Sequence, residues 1–110
     1  MEKAYSKYAR IFNETCPNWS RNDESNLMFL RQIQHLFDLK LKLEETVFLN
    51  DVYRMIGFPP TQEGQIVGWH YDLKNPIGDN FIDFDITDNG DNTFIVDFNV
   101  DGKVIQYLDE

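Results

Sequence analysis

The sequence predicts an α+β domain: N-terminal helices packed on a C-terminal antiparallel sheet of three or four strands. Three observations predict it. Leu27, Leu30, Ile33, Phe37 and Leu41 recur at three- and four-residue spacing, the period of an amphipathic helix. Residues 81–108 alternate apolar and polar side chains, the period of half-buried strands. Between them stands Gly57-Phe58-Pro59-Pro60, where glycine suits a left-handed cap and the prolines forbid further helix. At 110 residues the chain is one domain, residues 1–110, with one core. Its helical half covers about 1–58 and its sheet half about 65–108.

Residues 2–14 read as a first helix, with Ala4, Tyr5, Tyr8, Ile11 and Phe12 on one stripe. Cys16-Pro17-Asn18-Trp19 then turns the chain. The long helix begins at Asn22 or Asp23, since Asp23 and Glu24 favour a positive N-terminal end, and runs to about Glu45. Met28, Phe29, Leu36 and Leu43 flank its stripe and make the apolar face wide. Thr46 either caps a third helix or lies in a bend of the second. Phe48, Leu49, Val52 and Ile56 form the next stripe, closed by Gly57. Thr61-Gln62-Glu63-Gly64 is a turn, residues 65–71 a short strand or extended segment, and residues 74–80 a loop.

In the sheet half, Ile82, Phe84 and Ile86 face inward and Asp83 and Asp85 outward. Phe94, Val96, Phe98 and Val100 face inward, leaving Ile95, Asp97 and Asn99 outside. Asp101-Gly102 suits a two-residue turn that pairs Val100 with Lys103 and Phe98 with Ile105. Ile105 and Tyr107 would then join the inner face. A two-residue turn at Asn89-Gly90 would mix the two faces, so that loop must be odd, of three or five residues. The five-residue loop sets Asp83 opposite Asp97. Opposed like charges destabilise a strand pair by ~0.2–1 kcal/mol. Asp83, Asp85 and Asp97 therefore read either as a solvated face or as a docking surface for cationic groups.

The net charge is −9, unevenly spread. Residues 1–71 hold nine acidic and eight basic side chains, whereas residues 72–110 hold ten acidic and two basic, Lys74 and Lys103. Phosphates would be repelled, so direct nucleic-acid binding is disfavoured, and a basic protein is the natural partner. No apolar run reaches the roughly 20 residues of a membrane span, and no signal peptide is recognisable at the start. The single Cys16 excludes an internal disulfide and fits a reducing cytosol.

From Phe48 onward the chain resembles a family of uncharacterised phage and prophage proteins. The residues that carry it are Leu49-Asn50-Asp51-Val52-Tyr53, Gly57-Phe58-Pro59-Pro60-Thr61, Gly64, Val67-Gly68-Trp69, Asn75-Pro76-Ile77-Gly78-Asp79-Asn80, Ile82-Asp83-Phe84 and Val96-Asp97-Phe98-Asn99-Val100-Asp101-Gly102. Asn26-Leu27-Met28-Phe29-Leu30 resembles the family's helical lead-in. The resemblance implies a mobile-element origin in Gram-positive hosts, a bacterial host cytoplasm as the site of action, and no assigned chemistry. This chain departs from the pattern at His70, where an aliphatic residue is usual, and in a shorter loop after Ile86.

Trp69 reads either as a core or hinge aromatic or as an interface anchor beside Tyr71; both residue types are favoured at interfaces. His70 and Asp72 with His35 or Cys16 would be the candidate metal ligands, without a recognisable ligand spacing. Asp85, Asp88, Gly90 and Asp91 lack the spacing and closing glutamate of a calcium loop. No catalytic grouping has a recognisable local context, and the expectation is a non-enzyme without cofactor or metal. The expected role is stoichiometric inhibition of a host defence nuclease of the anti-CRISPR kind, an effector docked through Trp69, Tyr71, Asp79, Asp83, Asp85 and Asp97. A virion or tail-assembly component is the alternative, and a metal-binding protein the lesser one. The partner's identity and the oligomeric state are not written in the sequence.

Overall fold

The computed structural model describes residues 4–109, and its architecture is α+β as expected. Helix α1 spans Asp23–Glu44. Asn22 caps it by accepting a hydrogen bond from Ser25 N at 2.9 Å, and Asp23 and Glu24 occupy its first turn. Glu45, at φ 70°, closes it through its N–H to Leu41 O. Leu30, Ile33, Phe37 and Leu41 are buried, but Leu27 is not; Asn26 takes that place in the buried stripe.

The chain does not pass directly from one helix to the next. Thr46 opens a strand, β2 (Thr46–Phe48), so it caps no helix. Glu45 has already reversed the backbone, and a β-branched and aromatic triplet follows. Helix α2 spans Leu49–Ile56 and ends on Gly57 at φ 109°, where a Cβ would sit 2.6 Å from Pro17 Cδ.

The expected first helix is also corrected. Residues 2 and 3 lie outside the described residues, and over 4–14 the regular element is a strand, β1 (Arg10–Phe12). The other strands are β3 (Val67–His70), β4 (Phe84–Asp88), β5 (Phe94–Phe98) and β6 (Gly102–Lys103). They form two antiparallel sheets, β1-β5-β4 and β2-β3-β6. Pairing β1 to β5 buries Phe12 fully and stacks it on Phe29 at 5.6 Å between ring centroids. An isolated helix of about a dozen residues would have been marginal without such contacts.

The expected single meander is therefore divided. With β1 on one edge of β5 and β4 on the other, no edge remains for a returning hairpin partner. The turn at Asp101-Gly102 does not fold the chain back on β5. The chain crosses to β3, where Asp101 N donates to Gly68 O and Val104 N to Ile66 O, with Gly68 opposite Gly102. Ile105 and Tyr107 leave the inner face and lie in a short 3-10 helix, Ile105–Asp109.

The loop between β4 and β5 has the expected odd length, five residues from 89 to 93, and keeps the apolar faces together. Its register sets Phe84 opposite Phe98 and Ile86 opposite Val96. The loop lies one residue further along than the expected 88–92, so Asp85, not Asp83, is opposite Asp97. The inner face of this sheet packs with Leu30, Ile33, Phe37 and Leu41 of α1 in one core, which also takes in Tyr53 and Trp69. Side chains of α1 cap the start of the outer edge of β4 and the segment just before it. Gln34 Oε1 accepts from Phe84 N, Asp38 from Ile82 N, and Arg31 donates to Phe84 O.

Candidate functional site

Strand alternation places Asp85 and Asp97 on the sheet face opposite α1, directly across the β4–β5 ladder. Asp83, just before β4, is also exposed. The three carboxylates do not stand in equal surroundings. Asp97 accepts from Ser6 N at 2.7 Å, from Ser6 Oγ and from Phe98 N at 2.8 Å. It therefore anchors the N-terminal segment as well as facing Asp85. Such N–H and O–H donors offset part of the repulsion between the two aspartates.

Asp79 lies in the exposed loop before the sheet. Its Oδ2 accepts from Asn99 Nδ2 at 3.2 Å. Asn99 is the residue that organises this end of the molecule. Its Oδ1 accepts from Trp69 Nε1 at 2.9 Å and from Asp83 N at 2.8 Å, while its Nδ2 also donates to Phe81 O at 2.9 Å. One amide thus ties the central strand of the second sheet to the segment that leads into β4.

Asp101 is the second tie. Its Oδ2 accepts from His70 N at 3.0 Å, and a Cβ on Gly78 would come within 1.9 Å of its Oδ1. Burial raises the Asp101 carboxyl above the usual carboxylate range, only partly opposed by the His70 and Asp79 N–H donors. Asn80 closes the loop from the other side, accepting from Asp72 N and donating to Asp72 O. Asp72 in turn accepts from Asn75 N and Lys74 N; the Asn75 N–H does most to lower its pKa, desolvation opposes it, and the Lys74 N–H adds less.

The aromatic anchors divide. Trp69 is fully buried, since β3 is a central strand and all four of its residues are inside. As a core residue without accessible surface it does not serve as an interface anchor. Tyr71 keeps partial exposure and lines a shallow cleft of about 310 Å³ with Lys42, Leu43, Glu45, Asp72, Leu73 and Lys74. That cleft lies at the C-terminal end of α1, away from Asp85 and Asp97. Tyr71 is therefore not grouped with the acidic face.

His70 is buried, stacked on Tyr107 at 3.8 Å, with Nδ1 3.0 Å from Thr46 Oγ1. Cys16 is buried, and His35 is exposed on α1. Among the described residues no group of three His, Cys, Asp or Glu side chains is placed to hold a metal.

Residues that sequence reasoning passed over explain much of the motif pattern. Asn50 exchanges two hydrogen bonds with the Thr61 backbone, at 2.9 and 2.8 Å. Gly64 lies so close that a Cβ there would be 2.0 Å from Asn50 Oδ1. Asn50, Thr61, Gly64, Gly78, Asn80, Asn99 and Asp101 thus build the fold. The sequence marked them as motif positions, and Asp101 as a turn residue, without showing which groups they join.

The chain belongs to a family of unknown function, DUF6353, which matches residues 1–108. No curated protein and no solved structure matches.

Proposed function

We propose that this member of a family of unknown function is a protein-binding protein whose outer sheet face docks on a basic surface of its partner. The observation that carries the reading is the register that sets Asp85 across from Asp97, with Asp83 exposed beside them. Strand pairing brings these carboxylates onto one plane. A cationic partner is steered toward that plane from a distance. The narrower reading is a stoichiometric inhibitor of a host defence nuclease, of the anti-CRISPR kind, acting in a bacterial cytoplasm. It is supported by the −8 carried by residues 72–110 and by the phage-family resemblance. A surface that holds nucleic acid is basic, and an acidic protein competes for it.

The test is capture from a bacterial lysate by the immobilised full chain, with mass spectrometry of the retained proteins. The comparison variant is Asp83→Lys with Asp85→Lys. Asp97 is left alone because it holds Ser6. Retention of basic proteins is expected to fall at least ~10-fold at about 0.15 M salt, with an unchanged circular dichroism spectrum. Equal capture by both proteins would remove the outer face as the interface. For the narrower reading, the retained protein is a nuclease whose cleavage stops at equimolar inhibitor.

A further inference from the structure

We infer that the outer edge of β4, at Ile86 and Asp88, takes a fourth strand from the partner, an extended segment that alternates basic and aliphatic residues. This inference rests on the proposed docking role and gives the partner its form.

The ladder fixes which backbone groups face outward. Asn89 N donates to Thr93 O and Asn99 N to Asp83 O, so the odd-numbered residues of this segment bond to β5. The N–H and C=O groups of Ile82, Phe84, Ile86 and Asp88 point the other way. Helix α1 meets the first two with side chains, in the place of a neighbouring strand. Asp38 Oδ1 accepts from Ile82 N at 2.9 Å and Gln34 Oε1 from Phe84 N at 3.1 Å, while Arg31 Nη1 donates to Phe84 O at 3.1 Å. The series then stops. One turn before Arg31 on α1 stands Leu27, 37% exposed, which has no polar group to offer. Among the described residues no hydrogen bond reaches the main-chain N–H or C=O of Ile86 or Asp88. Main-chain groups that lack a protein partner are left to water. A sheet edge that presents them is a template for another strand.

The two sides of β4 say what that strand carries. Ile86 packs against the core. A residue paired with Ile86 falls on the same side of the sheet, toward α1 and Leu27, and an aliphatic side chain suits it. The residues before and after it fall on the side of Asp85, the plane that also holds Asp97. Lysine or arginine suits those positions, because opposite charges attract across neighbouring strands and like charges repel. Asp88 is exposed at the end of the same edge. The same charges reject the readiest other occupant, β4 of a second copy, which would bring two sets of Asp85 and Asp88 to one seam. Antiparallel addition is the stronger pairing and gives Ile86 both of its bonds to one incoming residue. With Phe84 occupied by α1 and the turn starting at Asn89, the seam is short. Charge pairing on the acidic plane therefore has to add to the hold of the main chain.

The probe is a capped synthetic peptide that alternates lysine and valine, titrated into the isotope-labelled full chain and followed by NMR at about 0.15 M salt. The Ile86 and Asp88 amide signals are expected to shift, and exchange of the Ile86 N–H with solvent to slow at least ~10-fold at saturation. A second peptide carries N-methyl groups on its valines, so it keeps every charge and loses the donors that face β4. It is expected to bind more than ~10-fold more weakly. Equal affinity of the two peptides, an Ile86 amide that does not respond, or no binding of the lysine–valine peptide overturns the inference. If Asp83→Lys with Asp85→Lys still abolishes capture from lysate in that case, docking on the acidic face stands and only the added strand falls. If capture survives those substitutions while the peptide protects Ile86, the edge stands and docking across the face falls.

Discussion

Asn99 carries more of the fold than any aspartate near it. Four groups converge on its one amide: Trp69 Nε1, the Asp83 N–H, the Phe81 carbonyl and the Asp79 carboxylate. Removing it orphans the indole N–H of a fully buried tryptophan. Asn99→Ala is therefore expected to cost about 1–3 kcal/mol, read as a lower urea midpoint with the same slope. An unchanged midpoint would mean that solvent replaces the amide at no cost. From the sequence Asn99 was legible only as an outward polar residue. Its partners lie up to 30 positions away, and nothing in local periodicity encodes which donor meets which acceptor. The same holds for Asn50 and Gly64, whose close approach is a property of two segments brought together. Tyr53 shows the reverse side of burial: its hydroxyl, pushed up to about 12 chiefly by desolvation, serves as a donor to Tyr8 O.

Among the elements, α1 was the most legible, since its cap, acidic first turn and apolar stripe all point to one answer. Asn22→Ala is expected to lower stability by about 1 kcal/mol through the lost bond to Ser25 N, seen as a fall of several degrees in the thermal midpoint. No fall would show that the helix start is held by packing alone. The short elements were illegible for a physical reason. Three residues of β1 and two of β6 are too few to display any period, and each is a strand only because an edge lies beside it. Tyr8, Ile11 and Phe12 satisfy helical spacing equally well, and tertiary pairing with β5 overrides that spacing. Trp69 was misread as an anchor because exposure belongs to the sheet around a strand, and β3 turned out to have a neighbour on each side.

The whole molecule is dominated by its charge. Lys7–Glu63, Lys42–Asp38, Arg54–Asp51 and Lys40–Glu44 are largely solvent-exposed pairs, each worth little. Self-repulsion of a −9 chain should therefore outweigh them, and screening should relieve it. Raising sodium chloride from about 0.02 M to about 0.5 M is expected to raise the urea midpoint. A midpoint that falls instead would assign the net electrostatic balance to attractive pairs.

Composition and periodicity by themselves determined the α+β class, the extent of α1, the Gly57 stop, the odd-length loop between the last two long strands, and the crowding of negative charge into residues 72–110. These are local or summed quantities, readable wherever a pattern repeats over several turns or several strand residues. Only the tertiary structure decided that the strands divide into two sheets and that Asp85 faces Asp97. It also decided that Trp69 lies inside and that α1 side chains cap only the start of the β4 edge. Each of these depends on which edge or face is already occupied by a distant segment, and edge occupancy leaves no periodic trace in the chain.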